Sequence, residues 1–284
     1  MSATRAIAWL GLQEAVRRRV FLVVALLTVL YLGLYTLGTW QAFKEVNENA
    51  HALRGIEVRV VTASTLLGLN MFGTMFLGTI LAVFLTLGAV RGDAERGLLQ
   101  PLLVRPVPRR TLLLARFSAA ALVCGAYVIV IFTIASVITW SFGDWWPDRF
   151  VEPALSLAAA VAILCALSLA GSIFLSSTTN GIAIFMIFGA GLVAGLLGQI
   201  GEAINSATLS SVATTASWIL PFEGLYQSAL GLLTVDTVGF TGVAIRLGPF
   251  GGAADFGPLL WPWAILYLGL VGALALRSFA RRDL

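Results

Sequence analysis

Charge along this chain is confined to short intervals between long apolar runs. Residues 20–43, 60–90, 117–143, 153–201 and 256–276 contain no Asp, Glu, Lys or Arg. A helix needs about 20 apolar residues to span a membrane, at 1.5 Å of rise each across roughly 30 Å of hydrocarbon. Each run is therefore long enough for a span, and the 49 residues of 153–201 are too many for one. The only polar cluster in that run is SSTTNG at residues 176–181, a turn signal. Dividing the run there gives six spans, predicted at about 20–40, 65–89, 114–141, 154–175, 181–201 and 258–277. The fold class expected is all-α: a polytopic membrane protein with one transmembrane domain over residues 1–284.

Composition agrees with the pattern. Of 284 residues 59% are hydrophobic and 11% charged, with a mean hydropathy of +0.94, against about 25% charged in soluble domains. The placement of the charges tells more than their sum. With both termini cytoplasmic, thirteen Arg fall inside and five Lys or Arg outside, while the acids divide four inside and ten outside. That asymmetry fits the positive-inside rule, so the net charge of +4 reflects topology and not a nucleic-acid partner. The expected location is the cell membrane of a prokaryote, inner or plasma membrane, crossed several times. The first span is too long for a signal-peptide core and lacks a small-residue cleavage site after it.

Before the first span, Trp9, Leu12, Val16 and Val20 share one helical face, with Glu14 and Arg18 four apart on another. Residues 2–19 are expected to form an interfacial helix on the cytoplasmic leaflet, with Arg17, Arg18 and Arg19 at the headgroups. Residues 202–257 carry five scattered charges, and WILPFEGLYQSALGLL within them is apolar but too short and interrupted to span. This segment is expected to be external or partly re-entrant. Trp140, Trp145 and Trp146 fit an aromatic belt at the outer interface. Glycines recur at 68, 73 and 78, and again at 191, 195, 198 and 201, which allows close helix packing, within one subunit or at a seam between two.

Absences narrow the function. There is no G-x-x-x-x-G-K-[ST], and the sole lysine is Lys44. His51 is the only histidine, and no Cys lies near it, so no metal site is expected. Cys124 and Cys165 fall mid-span as small packing residues. None of the six spans contains an acid of the kind that couples ions in secondary transporters, and no base stands beside a nucleophile. No catalytic residue and no cofactor are expected on this chain. If it moves a substrate, the energy arrives from another chain.

One interval concentrates chemistry: RGDAERGLLQPLLVRPVPRR, residues 91–110, between the second and third spans. Asp93 and Glu95 precede Leu98, Leu99, Leu102 and Leu103, which share a helical face, and acids favour a helix start. Pro106 and Pro108 end the element. The pattern predicts a short cytoplasmic helix across the membrane surface, within 91–111, suited to docking a soluble partner; the plain alternative is a basic anchor loop.

This interval resembles the coupling loop in the membrane subunit of type-2 ATP-binding-cassette (ABC) exporters, which runs approximately G-E-x-E-x-G-T-L-x-x-L-L-x-x-P-V-x-R. Gly92, Asp93, Glu95, Gly97, Leu102, Leu103, Pro106, Val107 and Arg109 match without a gap; Leu98 replaces threonine, and Pro101 interrupts the leucines. The run from Glu14 to Arg19 and the tail from Phe279 are similar to the branch of permeases that serves nitrous-oxide-reductase maturation. The resemblance implies a permease that does no chemistry and dimerises, as a homodimer or a heterodimer. It also implies two copies of a cytosolic ATPase that bind ATP and magnesium and dock on residues 91–110 and the N-terminal helix. Asn70, Phe72 and Phe76 in the second span are the first candidates for a substrate pathway. Spans rich in Phe, Leu and Gly suit a lipid-like or drug-like cargo, and equally a subunit that only transmits force. The alternative reading is an ATP-independent transporter or channel.

Overall fold

A computed structural model describes residues 19–48, 57–86, 109–237, 241 and 256–280. Of these residues 90% are helical, with no strand among them. The helices are α1 (Arg19–Glu48), α2 (Val58–Thr86), α3 (Arg109–Gly143), α4 (Val151–Phe174), α5 (Ser177–Ala203), α6 (Ala207–Ile219), α7 (Pro221–Gly231) and α8 (Leu260–Ala280), with a 3-10 turn at Leu232–Thr234 after α7. Six of them, all but α6 and α7, are long and apolar enough to cross a membrane.

Each span predicted from the charge-free runs has its helix, and most helices overshoot. α1 continues past Lys44 and Glu45, and α2 begins before Arg59. The charge pattern marks where lipid ends, whereas a helix can continue into water. The turn at SSTTNG is built as a cap: the Ser176 hydroxyl accepts from the Thr179 amide at 3.4 Å and opens α5.

The spans divide by burial. In α2 and α4, 72% and 61% of the most apolar window is buried inside the bundle, against 22% in α1, 28% in α5 and 17% in α8. The core accordingly lies between α2, α3, α4 and the short α7, around Met71, Met75, Leu81, Phe132, Leu157, Leu164 and Leu225, all fully buried. The peripheral helices turn apolar faces outward, with Leu26, Val29, Leu34 and Leu37 on α1 and Met186 on α5 largely exposed. Outward-facing leucine needs lipid or another membrane helix, not water.

Polar side chains stitch the spans together. The Thr28 and Tyr127 hydroxyls are 2.5 Å apart, and Tyr35 and Thr139 are 2.6 Å apart, tying α1 to α3. The Tyr31 hydroxyl donates to Asn70 Oδ1 at 3.2 Å, tying α1 to α2, and its ring lies where a Cβ at Gly73 would be. Such bonds contribute about 0.6 kcal/mol each between membrane helices, and up to roughly 1.7. Cys124 and Cys165 are free thiols that meet between α3 and α4.

The helices alternate in direction, so the bundle has two distinct ends. One gathers the start of α1, the end of α2, the start of α3, the α4–α5 turn and the end of α8. The other gathers the end of α1, the start of α2, the α3–α4 connection, the end of α5 and the start of α8. At this second end Arg59 pairs with Asp144 at 3.2 Å, Gly143 lies against the Phe43 ring, and the Asp148 amide donates to the Leu233 carbonyl at 3.0 Å.

Candidate coupling and cargo sites

Most of the coupling residues expected from the sequence lie outside the described residues: Asp93, Glu95, Gly97, Leu98, Leu99, Leu102, Leu103 and Pro106, together with Glu14, Arg17 and Arg18. Arg109 and Arg19 are the first residues of α3 and α1. The structure does define the two stems from which the 87–108 interval hangs, and both are pinned.

On the α2 side, Thr86 is the last described residue and fully buried. Its hydroxyl lies 2.6 Å from Ser168 on α4, and Asn180 Nδ2 on α5 donates to the Ser168 carbonyl at 2.9 Å. One hydroxyl cluster thus joins three helices directly below the interval. On the α3 side, Leu113 packs with Leu169 and Ile173 of α4 and with Ala275 and Phe279 of α8. The residues that flank the interval are therefore joined to α4, α5 and α8 by close contacts.

The cargo candidates do not converge. Asn70 is fully buried and bonded to Tyr31 in the α1–α2 seam. Among the described residues its Nδ2 and the nearby Thr74 hydroxyl have no partner. Phe72 packs on the central core. Phe76 is 40% exposed and meets Phe185 and Phe188 of α5, with ring centroids 6.2 and 6.0 Å away. Phe188 in turn stacks on Phe222 at the start of α7. The aromatic side of α2 thus points toward α5 and the hairpin, away from Asn70.

That hairpin, α6 and α7, is the main feature the sequence scan for chemistry passed over. α6 runs back along the second half of α5, the chain reverses at Leu220 and Pro221, and α7 buries nine of its eleven residues. The α5 glycines are its bed. Gly201 lies against Ser210, Gly198 against Ala213, Gly195 against Glu223 and Gln227, and Gly191 against Phe222. The hairpin tip is therefore level with Gly191, midway along α5. The glycine series of α5 serves packing within the subunit, as do Gly73 against Tyr31 and Gly78 against Val128 and Val161.

Inside this arrangement sits an acid. Glu223 is 1% exposed, and Gln227 Nε2 donates to its Oε1 at 2.9 Å. Among the described residues Glu223 Oε2 and Gln227 Oε1 have no partner. Glu223 belongs to none of the six predicted spans. The available signal was a lone acid inside the apolar stretch WILPFEGLYQSALGLL.

Comparison with curated proteins returned no match. The family model described as ABC-2 family transporter protein matches residues 5–284. That match spans the stems, the hairpin and all six membrane helices, so the chain belongs to the ABC-2 transporter family: it is a multi-pass cell-membrane permease subunit of an ATP-binding-cassette transporter, working with a cassette ATPase.

Proposed function

We propose that the chain is the permease of an exporter, paired with a second copy of itself and driven by two ATPase subunits that dock on residues 91–110 and on the N-terminal helix. Both termini and the docking interval face the cytoplasm in this reading, and ATP and magnesium act on the partner alone. The observation that carries it is the pinned pair of stems at the loop-bearing end, where Thr86, Ser168 and Asn180 form one cluster and Leu113 enters another. A docking helix transmits force only if the helices that hold it move as a body. The family membership supplies the ATPase partner, and the arginine asymmetry supplies the orientation. Spans rich in Phe, Leu and Gly suit a force-transmitting role as well as a cargo path. For a cargo, the Phe76 side of α2, facing Phe185 and Phe188, is the surface assigned to the pathway.

Co-purification tests this reading. A tagged permease expressed with its ATPase should yield a two-plus-two complex in detergent. Glu95→Ala and Gly97→Val should leave membrane insertion intact and abolish ATP-driven transport. A stable permease that binds no ATPase, or normal transport in both variants, overturns it. A cysteine placed at Asp236 should react with reagents added outside the cell; labelling from the cytoplasm reverses the orientation.

A further inference from the structure

The cleft at the hairpin is separate from the coupling interval and has its own chemistry. It opens between α5, α6 and α7 and is lined by Gly195, Ser210, Thr214, Ser217, Gln227 and Phe256, with Glu202 also on its wall. Gln227 forms part of the lining, and Glu223 lies one hydrogen bond further in, against the same Gly195.

The hydrogen-bond capacity of the inner pair is lopsided. Gln227 Nε2 already donates to Glu223 Oε1, so its strongest contact is used internally. What remains unpartnered among the described residues is two acceptors, Glu223 Oε2 and Gln227 Oε1, on side chains 1% and 5% exposed. Burial pushes the Glu223 carboxyl up to about 7, so its charged form needs a cation beside it. The charged residue that lines the cleft is Glu202, a second acid, and no basic side chain is among the described lining. Such a site repels anions. It takes a cation that donates hydrogen bonds.

We propose that this cleft binds a primary ammonium group, held by the Gln227 side chain on its wall and by the negative charge of Glu223 behind it. A metal ion requires a shell of several charged oxygens, and among the described residues no group of three or more acids, histidines or cysteines is placed to hold one. An ammonium group needs only a few acceptors, and Phe256 and Ala213 provide the apolar wall for its carbon stem. The amine belongs either to a free small molecule or to the headgroup of an aminophospholipid, which share this chemistry.

The test is thermal unfolding of the full chain in phosphatidylcholine nanodiscs, which contain no primary amine. Methylammonium or ethanolamine chloride near ten times its Kd should raise Tm by about 3 °C. Tetramethylammonium and sodium chloride at equal ionic strength should not. Glu223→Gln should abolish the response. Because that variant alters a buried site, Thr214→Trp serves as the second: Thr214 is exposed on the cleft wall, and an indole there fills the cleft while Glu223 and Gln227 themselves stay unchanged. It should fold normally and lose the response. If phosphatidylethanolamine in the disc gives the same rise and removes the effect of added amine, the ligand is a lipid headgroup; a response to free amine that persists in such discs assigns a soluble one. No shift with any amine, an equal shift with sodium, or an undiminished response in Thr214→Trp overturns the proposal.

Discussion

The two ends of this bundle are built on opposite terms. At the end that carries residues 87–108, side chains reach across and lock: Thr86 to Ser168, Asn180 to Ser168, Leu113 to Ile173 and Phe279. At the other end side chains are withdrawn. Four glycines strip one face of α5, and a hairpin fills the space while leaving a polar cleft beside it. The first device makes helices move together. The second lets backbone that is not a span lie deep in the bundle, where irregular structure survives only if protein shields it. One chain thus has a locked end and a recessed end.

The contrast can be broken at either end, and the expected effects are unequal. Gly195→Leu should be the most damaging substitution, because its side chain falls where Glu223 and Gln227 lie. Overpacking of this kind costs about 3 kcal/mol or more. It should release the hairpin, seen as new protease cleavage between residues 204 and 237 and as a lower Tm. Gly189→Leu is the matched control, since nothing lies within 4 Å of a Cβ there, and it should leave both readouts unchanged.

At the locked end the expected losses are smaller. Thr86→Val removes one hydroxyl from a cluster in which Ser168 keeps Asn180 as a partner, so the cost should be about 1 kcal/mol. Its sharper consequence is on coupling: ATP turnover by the assembled complex should continue while transport per ATP falls. Equal loss of both would mean that Thr86 only holds the fold. The smallest effect belongs to Arg59→Ala. Its pair with Asp144 is 44% and 84% exposed, and such surface pairs contribute little. Tm should stay within experimental error.

The spans were legible because lipid imposes one rule on a long stretch, and the absence of charge over 20 or more residues is hard to mistake. Helix ends were less legible: Arg59 and Lys44 close the charge-free runs yet sit within or beside continuing helix, since nothing in water forces a stop there. The turn at Ser176 was readable because capping is local. The hairpin was harder. Its burial depends on Gly191, Gly195, Gly198 and Gly201, which lie before it on α5, and the same glycine spacing is equally suited to a seam between subunits. Glu223 escaped notice for the same reason: its surroundings are made by residues far away in the sequence, and no local pattern announces them.

α3 has a consequence in mechanics. It is a single helix of 35 residues, without proline, beginning at Arg109 where the 87–108 interval ends and finishing at Gly143 against Phe43. At 1.5 Å per residue it is an unbroken rod of about 52 Å, well beyond the roughly 30 Å of hydrocarbon it crosses. A rod with no joint converts rotation at one end into travel at the other. A tilt of about 5° about its lower end carries the upper end some 4–5 Å sideways, close to the rise of one helical turn. Over such a length, a few degrees at the root suffice to change which neighbours the far end touches.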